Sequence, residues 1–159
     1  LAFRVLDSSA FYAGIPFSSN ETGYITSLIY NEIEHIKKDH DAIQILIETK
    51  RLMIRDPEHR FTIAVYDAAK KSGDFTNLSE QDISIIALSL QLKAELVTDD
   101  FAISNVAKNL SIKVVPVMTK GIQNVVIWKY YCPGCKTNFS KVSECPRCGN
   151  KLKRKPLKN

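Results

Sequence analysis

The sequence predicts an α/β fold in which a parallel sheet is covered by helices on both faces, with a small cysteine-bearing module appended. Short apolar runs alternate along the chain with segments of helical periodicity, which is the pattern of a parallel sheet. Acidic and hydroxyl residues follow two of these runs, where open α/β sheets place their ligands. All four cysteines lie between residues 132 and 148.

The first half of the chain supplies the first predicted strands and helices. The apolar residues of 3–6 indicate a short buried strand, and residues 10–13 are compatible with a short helix. Pro16 and the polar residues 18–20 then indicate a loop over 15–21. Residues 24–26 predict either a second strand or the lead-in to a helix. Apolar residues at spacings of three and four predict helices over 27–38 and 41–48, and residues 51–55 predict a strand.

The second half completes the predicted sheet. Pro57 suits the first turn of a long helix that Gly73 ends, and residues 74–78 then form a loop. A helix opens at Ser79, a strand covers 95–97, a helix covers 101–110 and a Val-rich strand covers 112–117. The expected organisation is a body over 1–120, a linker or strand over 121–129, the cysteine module over 130–152 and a basic tail over 153–159.

The bulk composition is that of an ordinary globular protein, 45% hydrophobic and 25% charged over 159 residues. That length suits one domain of usual size plus a small one. No apolar run approaches the length of a membrane helix and no signal peptide is visible, so we expect a cytoplasmic protein with no membrane partner. Clustered cysteines without a secretory signal favour metal ligation over disulfides.

The net charge of +5 is unevenly distributed along the chain. Residues 129–159 hold nine Lys and Arg against one acid, whereas residues 1–128 hold thirteen against sixteen acids. A basic segment on an acidic body favours nucleic-acid binding over a merely solvated tail, because basic side chains release the counterions of phosphates. The candidate RNA-binding residues are Lys129, Lys136, Lys141, Arg147, Lys151, Lys153, Arg154 and Lys155.

Five carboxylates are candidates for one catalytic site at the carboxyl edge of the sheet: Asp7, Glu32, Asp82, Asp99 and Asp100. Gathered there, they would repel one another unless their pKa values rise or cations bind. Oxygen ligands of this type suit Mg²⁺ or Mn²⁺, which can activate water against a phosphodiester. The sequence contains no Walker A, Gly-x-Gly-x-x-Gly, Gly-x-Ser-x-Gly or His-Glu-x-x-His motif, so nucleotide-cofactor and zinc-protease functions have no support.

Each carboxylate also has a purely structural interpretation. Glu32 could be a core acid that a Lys or Arg neutralises. Asp82 could close a capping box with Ser79, since it stands three residues after that helix-opening residue. One of Asp99 and Asp100 could cap the following helix and leave the other free. The residues by themselves leave these alternatives open.

The cysteines form two Cys-x₂-Cys pairs separated by nine residues: Cys132, Cys135, Cys145 and Cys148. Two such knuckles suit one tetrahedral Zn²⁺, because each tight turn directs two thiolates at the same ion. A segment of about thirty residues cannot bury a sufficient core, so this structural metal should supply most of the folding energy. The nearby aromatic residues could stack on RNA bases or form the module's own small core: Tyr130, Tyr131 and Phe139.

Four ordered motifs make residues 3–117 resemble the PIN-domain ribonucleases: Val5-Leu6-Asp7-Ser8-Ser9, Asn31-Glu32, Leu78-Ser79-Glu80-Gln81-Asp82 and Val97-Thr98-Asp99-Asp100-Phe101. This resemblance implies a three-layer α/β/α fold whose acidic residues bind Mg²⁺ or Mn²⁺. It also implies the hydrolysis of single-stranded RNA.

The resemblance further assigns site residues. The family's four acidic positions fall on Asp7, Glu32, Asp82 and Asp100, with the first and the last two as ligands of the Mg²⁺ or Mn²⁺. The supporting hydroxyls of the family match Ser8 and Thr98. Asp99 is an adjoining acid of unassigned role, because the family's motif usually has the form Thr-x-Asp.

The order of modules resembles one branch of that family, the Nob-type endonucleases, in which a PIN-like domain precedes a zinc ribbon. That branch matures the 3′ end of small-subunit ribosomal RNA, and the compact length is similar to its archaeal form. The resemblance therefore implies precursor ribosomal RNA and ribosome assembly factors as partners. Two alternatives stand beside it: a non-catalytic RNA-binding assembly factor and a toxin-type PIN ribonuclease.

Overall fold

The computed structural model describes residues 3–33, 40–117, 128–139 and 144–156. The chain divides into two compact units, Leu1–Gln123 and Asn124–Asn159, and each has its own sheet. The predicted linker over 121–129 lies almost wholly outside the described residues. Within the described ranges no helix is both long enough and apolar enough to cross a membrane.

The first unit is built on a sheet of parallel strands: β1 (Arg4–Leu6), β2 (Gly23–Ile25), β3 (Leu52–Ile54), β4 (Glu95–Val97) and β5 (Val114–Val115). Their order in the sheet is β3-β2-β1-β4-β5. β1 pairs with β2 on one side and with β4 on the other, and both pairings are parallel. The chain therefore winds outward from β1 in one direction and then in the other, which creates a topological switch point between β1 and β4.

The helices of the described ranges are α1 (Ser8–Tyr12), α2 (Ile15–Ser18), α3 (Ser27–Ile33), α4 (His40–Glu48), α5 (His59–Ser72), α6 (Glu80–Leu92) and α7 (Phe101–Asn109). α6 is the most enclosed of them, because it packs against α3, α5, α7 and β1. Its residues 83–89 are all buried. α5 ends at Gly73 as predicted, and the φ of 82° at this glycine is the left-handed conformation that closes a helix.

Both faces of the sheet are covered by apolar residues. Val5 and Leu6 point to opposite faces of β1, since neighbouring residues of a strand alternate, and both are buried. The same holds for Leu96 and Val97 on β4. The predicted α/β class, with helices on both sides of a parallel sheet, is therefore confirmed.

Two short helices differ from the prediction for local reasons. α1 begins at Ser8, two residues early, because the Asp7 carboxylate accepts a hydrogen bond from the Ser8 N–H and starts the helix there. Residues 15–18, predicted as part of a loop, form the single turn α2. Gly14 precedes it with a φ of 76°, and Pro16 fits its first turn.

The other departures are smaller. α5 begins at His59, so Pro57 precedes the helix instead of occupying its first turn. A 3₁₀ turn over Phe75–Asn77 lies inside the predicted loop 74–78. β5 covers only two residues of the predicted strand 112–117, because the pairing with β4 is confined to them.

The second unit contains an antiparallel sheet of order β7-β6-β8, formed by β6 (Trp128–Tyr131), β7 (Asn138–Phe139) and β8 (Lys153–Pro156). Tyr130 faces Phe139 across β6 and β7, and both are half-buried, so these two rings belong to the small core of the module. Residues 153–156, expected in a basic tail, pair along the whole of β6. Their composition carries no apolar alternation, so only backbone pairing could reveal this strand.

Candidate active site and metal centre

Asp7 lies directly after β1, at the centre of the sheet's carboxyl edge, and is 6% exposed. Its Oδ1 accepts hydrogen bonds from the Ser8 N–H at 2.8 Å and from the Ser8 hydroxyl at 3.4 Å. Its Oδ2 accepts from the hydroxyls of Ser9 at 3.2 Å and Thr98 at 2.8 Å. All of these donors are neutral, so they orient the carboxylate without cancelling its charge.

Thr98 joins the ends of the two central strands. Its buried hydroxyl donates to Asp7 and accepts a hydrogen bond from the Asp100 N–H at 3.0 Å. Asp100 caps α7, since its Oδ1 accepts from the Ile103 N–H at 3.0 Å. The switch point between β1 and β4 thus holds two of the predicted carboxylates, with a shared hydroxyl between them.

Asp82 closes the capping box of α6 and also belongs to the acidic cluster. The Ser79 hydroxyl accepts from the Asp82 N–H at 3.2 Å, and the Asp82 Oδ2 accepts from the Ser79 N–H at 2.8 Å. Desolvation raises the pKa of Asp82, the charges of Asp100 and Asp7 raise it further, and the bonds from Ser79 oppose them. Asp82 therefore closes the capping box of α6 and is also a member of the acidic cluster.

Glu32 is exposed on α3, although its carboxyl group is partly withdrawn from solvent. That desolvation raises the pKa of Glu32, the charges of Asp7 and Asp82 add to it, and a hydrogen bond with Ser8 lowers it. These couplings place Glu32 beside the other acids. A core acid neutralised by Lys or Arg does not fit an exposed residue that takes part in none of the described ion pairs.

The four carboxylates form a cluster of like charge. The ion pairs within the described ranges involve other acids: Arg4–Glu21, Arg60–Glu58 and Lys113–Glu95. Repulsion among neighbouring carboxylates is relieved by protons or by a cation. Because the donors are all carboxylate oxygens, the cation that fits is a hard divalent ion.

Asp99 has a different contact from Asp100. Its Oδ1 accepts a hydrogen bond from the Val117 N–H at 2.8 Å, which ties the loop after β4 to the chain after β5. The charge that acts on Asp82 is that of Asp100. Asp100 therefore belongs to the acidic cluster, because its charge acts on Asp82. Asp99 holds the Val117 backbone, which follows β5.

Two supporting contacts were not predicted from the sequence. The first is the Ser9 hydroxyl on Asp7. The second is a buried pair, Thr26 after β2 and Ser84 on α6, whose Oγ atoms lie 2.8 Å apart. This pair fastens the start of α3, which carries Glu32, to α6, whose capping box Asp82 closes. Thr26 follows β2 as Thr98 follows β4, and this repeated strand-end hydroxyl is the signal that could have found it.

The four cysteine sulfurs of the second unit lie within 4.8 Å of one another and could hold one metal ion. Two close contacts connect the two knuckles, at 3.2 Å between the sulfurs of Cys132 and Cys148 and at 3.6 Å between those of Cys135 and Cys145. All four cysteines are free thiols. Among the described residues the carboxylates of the first unit are not gathered as tightly as these thiols.

Backbone geometry in the first knuckle favours a thiolate. The Cys135 N–H points at the Cys132 sulfur at 3.5 Å, and this contact, with weaker ones, lowers the pKa of Cys132 to about 6. In the second knuckle burial dominates and raises the pKa of Cys145 to about 11. The Asn150 side-chain amide donates to the Cys148 sulfur at 3.4 Å, so polar donors also surround the second pair.

The predicted RNA-binding side chains are exposed wherever they are described: Lys136, Arg147, Lys151, Lys153 and Arg154. Lys129 and Lys155 lie on paired strands, and their side chains are outside the described set. Lys141 is outside the described residues altogether. Exposure on a basic module is compatible with phosphate contacts, and their role in RNA binding stays a prediction.

The chain is similar to known ribonucleases over most of its length. A family model described as the PIN domain of ribonuclease matches residues 4–92. "Endoribonuclease Nob1" of Pyrococcus abyssi is 34% identical over 152 residues, which cover 94% of this chain and 91% of that protein. "Endoribonuclease Nob1" of Methanocaldococcus jannaschii is 37% identical over 160 residues, which cover 98% and 79%. "Ribonuclease VapC1" of Thermoplasma acidophilum is 37% identical over 123 residues, which cover 77% and 63%.

The two Nob1 alignments leave too few residues of this chain unaligned to omit the four-cysteine module. The family predicted from the motifs is thereby confirmed, and so is its combination with a cysteine module. By sequence similarity, by the parallel sheet and by the four cysteines, the chain belongs to the PIN-domain ribonuclease family and, within it, to the archaeal Nob1 endoribonucleases.

Proposed function

We propose that the protein is a cytoplasmic, metal-dependent endoribonuclease that cuts single-stranded RNA and matures the 3′ end of small-subunit ribosomal RNA. The observation that carries the proposal is the gathering of four carboxylates from four separate elements at one edge of the sheet: Asp7, Glu32, Asp82 and Asp100. The relatives named endoribonuclease support the reaction. The Nob-type order of modules supports precursor ribosomal RNA as substrate and ribosome assembly factors as partners.

The catalytic cation we assign to the cluster is Mg²⁺ or Mn²⁺, with Asp7, Asp82 and Asp100 as its ligands. Hard divalent ions take carboxylate oxygens of this kind, and the raised pKa values of Glu32 and Asp82 support a site that is relieved by positive charge. When bound, one or two such ions supply a Lewis acid that generates the nucleophile from water and stabilises the leaving oxygen.

The side chains of the chain itself organise the reaction. Hydrogen bonds to both oxygens of Asp7 hold this carboxylate in one orientation. Thr98 links the Asp7 carboxylate to the backbone of Asp100, because its hydroxyl donates to the first and accepts from the N–H of the second. Because the scissile phosphate is an anion, the carboxylates exclude it until their charge is compensated, which makes RNA binding at the cluster depend on the cation.

Hydrolysis at this site has a simple balance of bonds. Water adds to the phosphorus, and the bond from phosphorus to the O3′ atom breaks. O3′ takes a proton and becomes a free hydroxyl. The products are a 3′-hydroxyl and a 5′-phosphate, as the family resemblance implies.

We assign a structural Zn²⁺ to the four thiols. A tetrahedral zinc with Zn–S bonds of about 2.3 Å separates its sulfurs by about 3.8 Å. The sulfur contacts of 3.2 and 3.6 Å are close to that spacing. Four protein ligands leave no position for substrate, so the ion's role is to fold the module. The exposed Lys and Arg residues then attract the RNA backbone by charge.

The proposal is tested with labelled RNA that spans the 3′ end of small-subunit ribosomal RNA. Wild type is expected to make a discrete cut with Mn²⁺ and none in buffer free of divalent cations. Asp7→Asn should lose the cut by about 10²-fold or more while it still binds the RNA. Asp67→Asn, on the exposed side of α5, is the matched control and should cut like wild type.

Two results would contradict the proposal. Binding without any metal-dependent cut would favour a non-catalytic assembly factor. A cut that survives Asp7→Asn would place the chemistry elsewhere in the preparation or in the chain. Absence of binding would instead refute the predicted role of the basic residues in the second unit.

A further inference from the structure

An aromatic side chain stands open to solvent on the helix that supports the acidic cluster. Tyr12 is 70% exposed, whereas its neighbours Ala10 and Phe11 on α1 are buried. The ring contacts and side-chain hydrogen bonds of the described residues do not include Tyr12. Within the described residues, the Tyr12 ring therefore makes no ring contact or side-chain hydrogen bond that stabilises the fold.

The position of Tyr12 on α1 links it to the site. It follows Ser8 by four residues and Ser9 by three, so all three share one face of the helix. Ser8 and Ser9 are the residues whose hydroxyls contact the Asp7 carboxylate. Four residues of helix rise by about 6 Å, and long helical side chains lean toward the preceding turn. Tyr12 therefore lies about one helical turn from the two residues whose hydroxyls contact the Asp7 carboxylate.

Single-stranded RNA offers what such a ring can bind. Its bases are free to leave the stack, and an exposed aromatic ring holds a splayed base of any identity by stacking. A base inside a duplex is covered on both faces and offers no such surface. An aromatic platform beside the carboxylates would therefore favour unpaired RNA at the position of the cut.

We propose that Tyr12 stacks on one of the two bases that flank the scissile phosphate. The proposal rests on the proposed ribonuclease function and adds to it the residue that selects an unpaired base. Stacking holds the phosphodiester over the acidic cluster, so it contributes to binding of the substrate rather than to the chemistry of the cut.

The test compares Tyr12→Leu, Tyr12→Phe and a control, Phe3→Leu, which removes an exposed ring at the opposite end of β1. Each is made in the Asp7→Asn background, and its Kd is measured by anisotropy with three RNAs. One RNA is intact, the second lacks the base on the 5′ side of the cleavage position, and the third lacks the base on its 3′ side. The same Tyr12 and Phe3 variants are assayed for cleavage with Asp7 restored.

Tyr12→Leu is expected to raise the Kd for intact RNA about tenfold, and Tyr12→Phe should leave it unchanged. The loss should disappear with at least one abasic RNA, because the partner of the ring is then absent. Phe3→Leu should bind like its parent. In cleavage, Tyr12→Leu should raise KM by a similar factor and change kcat little.

Equal affinity of Tyr12→Leu and its parent for intact RNA would overturn the proposal. So would a loss of the same size with intact and both abasic RNAs, which would point to a contact with the backbone. If wild type fails to cut but the Tyr12-dependent and base-dependent difference in Kd is present, the nuclease function falls and the stacking platform stands.

Discussion

The two units of this chain are held together by different forces. The first buries a large apolar core on both faces of a parallel sheet, and α6 runs through it with residues 83–89 buried. The described part of the second has three short strands and four thiols that converge on one point. Size explains the difference: a small segment cannot bury enough apolar surface, so bonds to the metal ion that the thiols could hold would replace the core.

The two units also differ in the surroundings of their acidic groups, which are thiols in the second unit and carboxylates in the first. Around the thiols, backbone N–H groups stabilise negative sulfur, as the lowered pKa of Cys132 indicates. At the second knuckle burial acts in the opposite direction and raises the pKa of Cys145 to about 11. Around the carboxylates, burial raises the pKa values of Glu32 and Asp82, and the charges of neighbouring acids raise them further. The acidic cluster retains repulsion between its carboxylates, which a bound cation would relieve.

The largest expected effect comes from removing the Zn²⁺ that we propose for the second unit. Cys132→Ser, or a strong zinc chelator, should unfold that unit, at a cost on the order of 10 kcal/mol of coupled binding and folding energy. The first unit should stay folded because its core is separate. Limited proteolysis with mass spectrometry would show cuts confined to residues 124–159. Arg147→Ala, at an exposed position between two ligands, is the control and should remain protected.

A complementary test removes a buried side chain from the apolar core of the first unit. Leu88→Ala on α6 removes a fully buried side chain and should lower the free energy of unfolding of the first unit by about 2–5 kcal/mol. Ile45→Ala on α4 removes a side chain that is 56% exposed and should cost less than about 1 kcal/mol. Urea denaturation followed by circular dichroism measures both. Equal losses would mean that the core is not where the structure places it, and a loss of bound zinc in Leu88→Ala would mean that the units are not independent.

The double role of Asp82 can be divided by two substitutions. Ser79→Ala removes one half of the capping box and should lower stability by about 1 kcal/mol with cleavage within a few-fold of wild type. Asp82→Asn keeps an oxygen for the Ser79 N–H, so its stability should change little while cleavage falls by about 10²-fold. Thermal melts and single-turnover cleavage provide the two readouts. If Asp82→Asn cleaved RNA as fast as wild type does, the role of Asp82 would be limited to the capping box of α6.

The smallest expected effect is a change in the pH dependence of stability. A carboxyl whose pKa is raised on folding stabilises the protein below its ordinary value, 4.5 for Glu32, and loses that contribution as the pH rises through the raised pKa. Glu32→Gln replaces the carboxyl with an amide that does not ionise, so the variant does not lose stability in this way as the pH rises. Without divalent cations its melting temperature should therefore exceed that of wild type by a margin that grows from about pH 4 to about pH 7.

Added Mn²⁺ should shrink that margin, because the cation relieves the same repulsion in wild type. The control is Glu48→Gln, an exposed acid on α4 outside the cluster, which should melt like wild type at each pH. A margin that is constant with pH, or that Mn²⁺ leaves unchanged, would mean that Glu32 is not coupled to the other carboxylates.

Much of the fold followed from local patterns. The strands around Val5 and Leu96 and the helix stop at Gly73 were predicted because apolar runs and a left-handed glycine act within a few residues. The turn over 15–18 was missed, since a loop containing Pro16 and a single helical turn have similar composition. β8 was missed because its four residues owe their strand structure to pairing with β6.

The site was predicted as a set of candidates rather than as an arrangement. The motifs identified the acids, and the family resemblance matched Asp100 to an acidic position, but the sequence left the role of Asp99 open because either residue can cap a helix. The fold distinguishes them through partners far along the chain, Val117 for one and the Thr98–Asp7 pair for the other. Ser9 was missed because hydroxyl groups are common, although its partner Asp7 is only two residues away. The buried Thr26–Ser84 contact was missed because its two hydroxyls are 58 residues apart in the chain.

The sequence by itself determined the class of the sheet, the two cysteine knuckles and the acids that end two strands, because periodicity and ligand spacing are properties of short segments. The tertiary structure alone decided which acids meet. Thr98 reaches Asp7 from 91 residues away, and Ser84 reaches Thr26 from 58 residues away. Such contacts depend on strand order and on the packing of α3 against α6, and no local pattern in the chain encodes either one.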